Sequence, residues 1–520
     1  MTGEDKDKEE NSVSGESGDI CELNTEAVVA AEAEIASETG IDELPQIPPL
    51  ETASGDRKER KTGRAIDIEV DSVSKRRSLI ISIAWPTLAE NILVSLVSMV
   101  DMIMVSSLGP FAIGAVGLVI QPRFVMLAAF MALNVGATAM VARFKGAGDR
   151  ESANMVLNQS LVLAFGITII LCVSMFFGGE SLVRFLAGKN ISEEMIQGAC
   201  VYLRIMVLGF PTVSFTVTIN AVLRGVGNTR AAFINTTVAN LVNIFFNYCL
   251  IGGNFGFPAW GVAGASIATV IGQFAALGMA LSRVIGNKEF INIDIKKLFR
   301  VDFPMIRRIL KIGIPAFIEQ LIMRAGMMFY TIIVTSLGDY SYAAHMIAMN
   351  LQQISFMSGM AFGAAATTLV GQCLGRVRAD LARLYVKMTQ NISYIVSIVV
   401  ALGLFFGGEL ISSLYSKDRE LIHLAANMLK IIAVINPISN ARFVYMASLR
   451  GAGDSRFAAV VTFVGVLLIR PVISLLLITD HLPFQLGLAG IWIALSSDGI
   501  VCYIISRIRF KKGKWETIKV

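Results

Sequence analysis

Long apolar stretches alternate with short polar ones from residue 79 of this 520-residue chain nearly to its end. A helix needs about 20 predominantly apolar residues to cross a hydrocarbon layer about 30 Å thick, because each residue advances about 1.5 Å. Twelve stretches qualify: 79–107, 112–141, 153–177, 196–222, 231–252, 261–284, 312–337, 342–371, 382–406, 422–448, 457–478 and 487–506. The breaks carry turn chemistry, with Leu108-Gly109-Pro110 after the first stretch and Gly146-Ala147-Gly148-Asp149 after the second. Glycine ends one helix there, and Asp149, Asn228 or Asp454 supplies the N-cap oxygen of the next.

The same landmarks occur twice. Leu223-Arg224-Gly225-Val226-Gly227-Asn228 returns 226 residues later as Leu449-Arg450-Gly451-Ala452-Gly453-Asp454, and Pro211 and Gly261 return at that distance as Pro437 and Gly487. Earlier landmarks return after 229 residues: Pro86 and Glu90 as Pro315 and Glu319, Leu108-Gly109 as Leu337-Gly338, Phe176-Phe177-Gly178-Gly179-Glu180 as Phe405-Phe406-Gly407-Gly408-Glu409. One loop shorter by three residues explains both distances, so the chain is a duplicated six-helix unit. An even number of spans per unit gives both halves one orientation. The pattern therefore predicts an all-α polytopic membrane protein, with twelve transmembrane helices in two parallel six-helix repeats around one path.

Composition agrees, and charge adds orientation. Hydrophobic residues make up 54% and charged ones 16%, with a mean hydropathy of +0.64, which no soluble fold of this length accommodates. Residues 1–77 differ: acidic to about residue 56, then basic, and too poor in large apolar side chains to fold, they are expected to form a disordered tail without a signal peptide. Arginine and lysine crowd the turns after even-numbered spans (Arg143, Lys145, Arg150, Arg224, Arg230, Arg376, Arg378, Arg450, Arg456) and nearly desert those after odd-numbered ones. By the positive-inside rule both termini are cytoplasmic. The expected organisation is a tail at 1–77, an N-lobe at 78–285, a cytoplasmic linker at 286–311, a C-lobe at 312–506 and a cytoplasmic tail at 507–520. The net charge of +5 averages unlike regions and gives no reason to expect a nucleic-acid partner.

Charge in hydrocarbon is costly, so ionisable residues within spans are functional candidates. Asp101 stands in Val-Ser-Met-Val-Asp-Met-Ile-Met-Val with no base on the same span. Asn240, Asn243 and Asn247 share a face of the fifth span and, with Asp101 and Thr269, could form an oxygen-rich pocket for a proton or Na⁺; ordinary interhelical hydrogen bonding is the competing role. Glu90 and Glu319, in equivalent places, suit either a structural bond or ion coupling. Arg324, five residues after Glu319, is a plausible partner that helix geometry does not dictate. His345, Arg123, Arg204, Arg442, Arg470 and Asp498 are read as helix-end or interhelical partners. The six scattered cysteines suggest neither disulfides nor a metal site. The glycine-rich turns lack the remaining residues of a nucleotide-binding fingerprint, and no nucleophile stands with a base. Enzymatic activity and ATP-driven pumping are not expected.

Taken jointly, Pro86-x-x-x-Glu90, Val100-Asp101-x-Ile103-Met104-Val105, Leu108-Gly109, Gly136-Ala137-Thr138-Ala139-x-Val141-Ala142-Arg143, Ala344-His345, Thr368-Leu369-Val370-Gly371-Gln372 and the two Leu-Arg-Gly turns resemble the multidrug and toxic compound extrusion (MATE) family of the MOP flippase superfamily. The resemblance covers about 78–520. It implies two lobes enclosing a V-shaped cleft and export driven by inward flow of H⁺ or Na⁺. By that match Asp101 is the acid that takes the coupling ion, with Na⁺ at Asp101 and Asn243 as one possibility. Asn243 matches a fifth-helix asparagine of the family, whereas Asn247 stands where many members have an acid. Tyr330 occupies the C-lobe place of Asp101, which leaves Glu319 as the candidate for a second coupling site.

The expected function is thus an antiporter of drug-like or cationic organic compounds in the plasma (inner) membrane. It is expected to act as a monomer, with the lipid bilayer and small molecules as partners and with no cofactor. A lipid-linked or metabolite flippase of the same superfamily, with Arg123, Arg204, Arg324 and Arg470 making its cavity basic, is one alternative. An interaction protein acting through the acidic tail is the other.

Overall fold

A computed structural model describes residues 68–69, 72–187, 192–285, 290–293, 300–478 and 486–518. Among the described residues there is no strand, and twelve helices are long and apolar enough to cross a membrane. They are α1 (Val73–Ser106), α2 (Pro110–Ala147), α3 (Arg150–Ala187), α4 (Glu193–Gly225), α5 (Thr229–Gly252) and α6 (Gly261–Val284) in the N-lobe. The C-lobe has α7 (Phe303–Thr335), α8 (Asp339–Gly375), α9 (Ala379–Ser412), α10 (Arg419–Gly451), α11 and α12 (Gly487–Lys511). Helix α11 is α-helical over Ser455–Phe463, π-helical over Val464–Ile469 and α-helical again over Arg470–Ile478.

The duplication is visible in the packing. In the N-lobe α1 packs on α5, α2 on α4, α4 on α6 and α5 on α6; in the C-lobe α7 packs on α11, α8 on α10, α10 on α12 and α11 on α12. Apolar spacing set the spans correctly, but the helices outrun them at the ends. A helix extends past the hydrocarbon until a capping group or glycine stops it, and hydropathy is silent about that extension. Residues 73–77, expected in the tail, thus form the first turns of α1, and residues 303–311 of the expected linker open α7, where Asp302 accepts from the Met305 amide at 2.7 Å. Helix α12 reaches Lys511, and beyond it Trp515 is fully buried, stacked on Phe510 with ring centroids 4.8 Å apart. Ile68 is likewise fully buried, its carbonyl accepting from the Tyr385 hydroxyl of α9 at 2.8 Å. The expectation for residues 1–67 lies outside the described residues, as do linker positions 286–289 and 294–299.

The lobes meet where the arginine-rich turns gather, here called the basic end. Gly146 of α2 packs on the Gln372 backbone of α8, and Gly375 on the Arg143 carbonyl, so neither position has room for a Cβ. The Thr368 hydroxyl donates to the Arg224 carbonyl at 2.9 Å, the Gln372 amide to the Gly225 carbonyl at 3.2 Å, and Arg143 to the Ile518 carbonyl at 2.7 Å. The termini cross over: the stretch before α1 docks on the C-lobe, and the stretch after α12 reaches the N-lobe.

The π turn of α11 has a consequence for the repeat. In α5 the buried face runs Asn235, Ala239, Asn243, Asn247; in α11 it runs Val461, Gly465, Arg470, Ser474. The first two pairs are 226 apart and the last two 227, as one extra residue in a π turn requires. Constant spacing from the sequence matches Asn243 and Asn247 with two apolar residues, Ile469 and Ile473. The structure corrects these to Arg470 and Ser474.

Candidate cation site

Asp101 lies on α1 little more than a turn before the helix ends at Ser106, facing α5. Spacing of four residues puts Asn243 and Asn247 on one side of α5, and that side is buried: 5% and 1% of these residues are exposed. The Asn247 amide donates to Asp101 Oδ1 at 2.7 Å. Oriented by its surroundings, the Asn243 amide donates to Asp101 Oδ1 at 3.0 Å and Oδ2 at 3.3 Å, while its oxygen lies 3.2 Å from the Thr269 hydroxyl of α6. Gly272 allows this closeness: a Cβ there would come within 2.5 Å of the Ala239 carbonyl oxygen and 3.1 Å of the Asn243 Cβ. Arg123 of α2 and the buried Tyr202 of α4 are the other polar groups electrostatically coupled to Asp101.

The structure therefore brings together Asp101, Asn243, Asn247 and Thr269, the predicted set. Asn240 is not part of it, and its amide nitrogen has no hydrogen-bond partner among the described residues. Chemically the set is one carboxylate, two amides and a hydroxyl, and Asn247 Oδ1 is buried without a hydrogen-bond partner among the described residues. Hard oxygen donors around a single negative charge suit a proton or a small hard cation such as Na⁺. Among the described residues no group of three or more His, Cys, Asp or Glu side chains could hold a metal ion.

Glu319 is elsewhere. It is buried and bound by Arg450, whose Nε donates to Oε2 at 3.2 Å with a second contact from Nη2 to Oε1, and by the Thr462 hydroxyl at 3.1 Å. Glu90 mirrors it in the N-lobe, with Arg224 at 3.4 Å and the Thr236 hydroxyl at 2.9 Å. Both arginines belong to the repeated Leu-Arg-Gly turns, and Thr236 and Thr462 are themselves 226 apart, so the repeat distance held the signal for these partners. Each glutamate ties the middle of an odd-numbered helix to the basic end, a clamp built twice. Arg324 does not pair with Glu319. Five helical residues turn it well away from that side chain, and its guanidinium lies 4.5 Å from the centre of the Phe124 ring in the other lobe. His345 is buried in an aromatic nest, 5.3 Å from Tyr330 and 5.6 Å from Trp492 by ring centroids. Arg204 pairs with Glu180 at 3.1 Å and Arg470 with Asp498 at 2.5 Å, interhelical roles as expected.

Comparison with known proteins agrees with this architecture. The sequence profile of the MatE family matches residues 86–249 and 315–476, beginning in each lobe at the equivalent prolines Pro86 and Pro315. The chain belongs to the MATE family. This MATE transporter is 29% identical over 446 residues to a probable multidrug resistance protein NorM of Thermotoga maritima, covering 86% of this chain and 94% of the relative. It is 26% identical over 439 residues to an uncharacterised transporter, YisQ, of Bacillus subtilis, covering 84% and 94%. Among solved structures, a multidrug resistance MATE transporter of the MOP superfamily in an outward-facing conformation superposes with a TM-score of 0.77 at 21% identity, covering 84% of this chain and 96% of that one. A MOP superfamily transporter from Pyrococcus furiosus, described as having a binding pocket of reversed polarity, superposes with a TM-score of 0.78 at 21% identity, covering 85% and 97%. As a MATE member the chain is a multi-pass membrane transporter and not an enzyme.

Proposed function

We propose that this MATE transporter exports drug-like, mainly cationic organic compounds in exchange for H⁺ or Na⁺, and that Asp101 takes up the ion. The observation that carries the reading is an acid within a membrane span, hydrogen-bonded by two neutral amides, on a side of α5 that is otherwise buried. The names of relatives across most of the chain's length support a multidrug substrate range. The distribution of arginine and lysine supports cytoplasmic termini in the plasma membrane, which makes the basic end cytoplasmic. We assign no coupling role to Glu319 or Glu90, whose arginine clamps account for them.

In this reading the ion-free site is a carboxylate that accepts hydrogen bonds from both amides and so bridges α1 to α5. A bound proton or Na⁺ takes over part of that acceptor capacity, the bridge rearranges, and α1 changes its seat on α5. Pro86 removes one backbone hydrogen bond from α1 and gives the helix a place to bend. Asp101→Asn preserves shape and removes the exchangeable charge. In proteoliposomes with separately imposed pH and Na⁺ gradients, efflux of an organic cation by this variant is expected to lose its gradient dependence while the protein stays folded. Undiminished gradient-driven efflux would defeat the reading, and whichever gradient drives the native protein names the ion. A flippase with a basic cavity is the weaker fit, since Arg204 and Arg470 are engaged by acids and Arg324 by an aromatic ring.

A further inference from the structure

With the register of α11 corrected, each element of the N-lobe site has a C-lobe counterpart. Tyr330 stands for Asp101, Arg470 for Asn243, Ser474 for Asn247, Leu495 for Thr269 and Asp498 for Gly272. The place is the same and its chemistry is inverted. Where the N-lobe has an acid on α1 and close helix packing at Gly272, the C-lobe has an acid on α12 and a guanidinium beside it. Arg470 and Asp498 are 7% and 1% exposed, with Nη2 of one 2.5 Å from Oδ2 of the other. The guanidinium carbon lies 5.7 Å from the Tyr330 ring centre, and Nη1 is 4.0 Å from Met327 Sδ. Arg470 Nε, the Tyr330 hydroxyl and the Ser474 hydroxyl are buried without hydrogen-bond partners among the described residues. Among the described residues, the other charged or titratable groups around Asp498 are Arg442 of α10, which with Asp498 and Arg470 is coupled to Cys502, and His345 of α8, which meets Trp492 of α12 edge-on.

We infer that Arg470 is a tethered cation: it fills in the C-lobe the place that an exchangeable cation takes in the N-lobe, and keeps Asp498 neutralised throughout the cycle. This rests on Asp101 being the ion-binding acid. An arginine does not give up its proton in a protein and cannot leave. The C-lobe therefore takes up no ion, and one monovalent cation accompanies each transport cycle, carried by Asp101 alone. The π turn is the device that makes this possible, because without its extra residue Arg470 would leave the buried side of α11.

The experiment uses the full chain in proteoliposomes and lipid nanodiscs. Reversal-potential measurements with a fluorescent organic cation give the number of ions per substrate, and thermal unfolding is followed against pH and Na⁺. Native protein should couple one ion. Arg470→Met leaves Asp498 to find a proton or Na⁺ of its own: a second ion should enter the stoichiometry, and unfolding should become sensitive to alkali and be rescued by acid or Na⁺. Arg470→Met with Asp498→Val replaces the pair by apolar side chains of similar combined volume, which buried ion pairs commonly tolerate, and should return both readouts to native values. A native stoichiometry of two, or a folded Arg470→Met variant with neither change, would overturn the inference. If the single variant does not accumulate, the double variant decides: unchanged coupling supports the inference and a loss of one ion overturns it. Asp101→Asn separates this from the reading beneath it, since full native coupling in that variant refutes the role of Asp101 whatever Arg470 does.

Discussion

Asp149 shows in miniature how single residues hold this protein's turns. It precedes α3, and its carboxylate accepts from the Ser152 amide at 2.9 Å. Hydrogen bonds from Ser152 hold its carboxyl below the ordinary value of 3.8. A depressed folded-state value means that the cap contributes fully above the ordinary carboxylate range and is lost as pH falls through the folded value. Asp149→Ala is expected to cost about 1 kcal/mol at neutral pH. In denaturation series across pH, the gap between native and variant should narrow only in acid below that range; a gap that closes between pH 5 and 7 would contradict the assignment. Asp101 is the opposite kind of residue. The hydrogen bonds that satisfy its carboxylate come from side chains able to reorient, and they bind two helices rather than one turn.

At the scale of elements, α11 is the test case. Deleting Leu467 removes the extra residue of the π turn, and about 100° of rotation must then separate Arg470 from Asp498 or misface the first half of the helix. Breaking a buried pair in this way costs about 3–5 kcal/mol. The deletion variant should lose thermal stability by that order, whereas deleting a residue in the turn between α10 and α11 should leave the pairing within α11 and α12 intact. Much of the architecture was legible in the chain. Apolar run lengths gave twelve helices, and recurring prolines and Leu-Arg-Gly turns gave two lobes. Asp101, Asn243, Asn247 and Thr269 were visible as a set because polar groups within spans are rare and α5 repeats them at helical spacing. What stayed hidden has one cause. A one-residue insertion inside an unbroken apolar helix changes the rotation of everything after it without altering hydropathy, so counting residues matched Asn243 with Ile469 instead of Arg470. Likewise, charges at helix ends read as loop, although Arg76, Arg77 and Arg308 are helical.

For the whole molecule, the joint at the basic end holds the two lobes together. Its helices touch through glycine, so bulk there acts on lobe separation directly. Gly375→Leu drives a side chain into the Arg143 carbonyl and should cost about 1–3 kcal/mol. It should also raise thiol labelling of Cys373, which is fully buried in an apolar cluster shared by α1 and the C-lobe helices. A variant as stable as the native protein, with Cys373 still protected, would mean that the lobes do not depend on this contact.

The crossed termini bear on how the protein is made. Ile518, whose carbonyl binds Arg143 of the first lobe, follows the last membrane span. During synthesis the first lobe is complete and inserted long before that residue exists, so the clasp between halves closes only after the last span of the second lobe has been made. A chain cut between Lys511 and Ile518 would hold every membrane span and still lack this fastening.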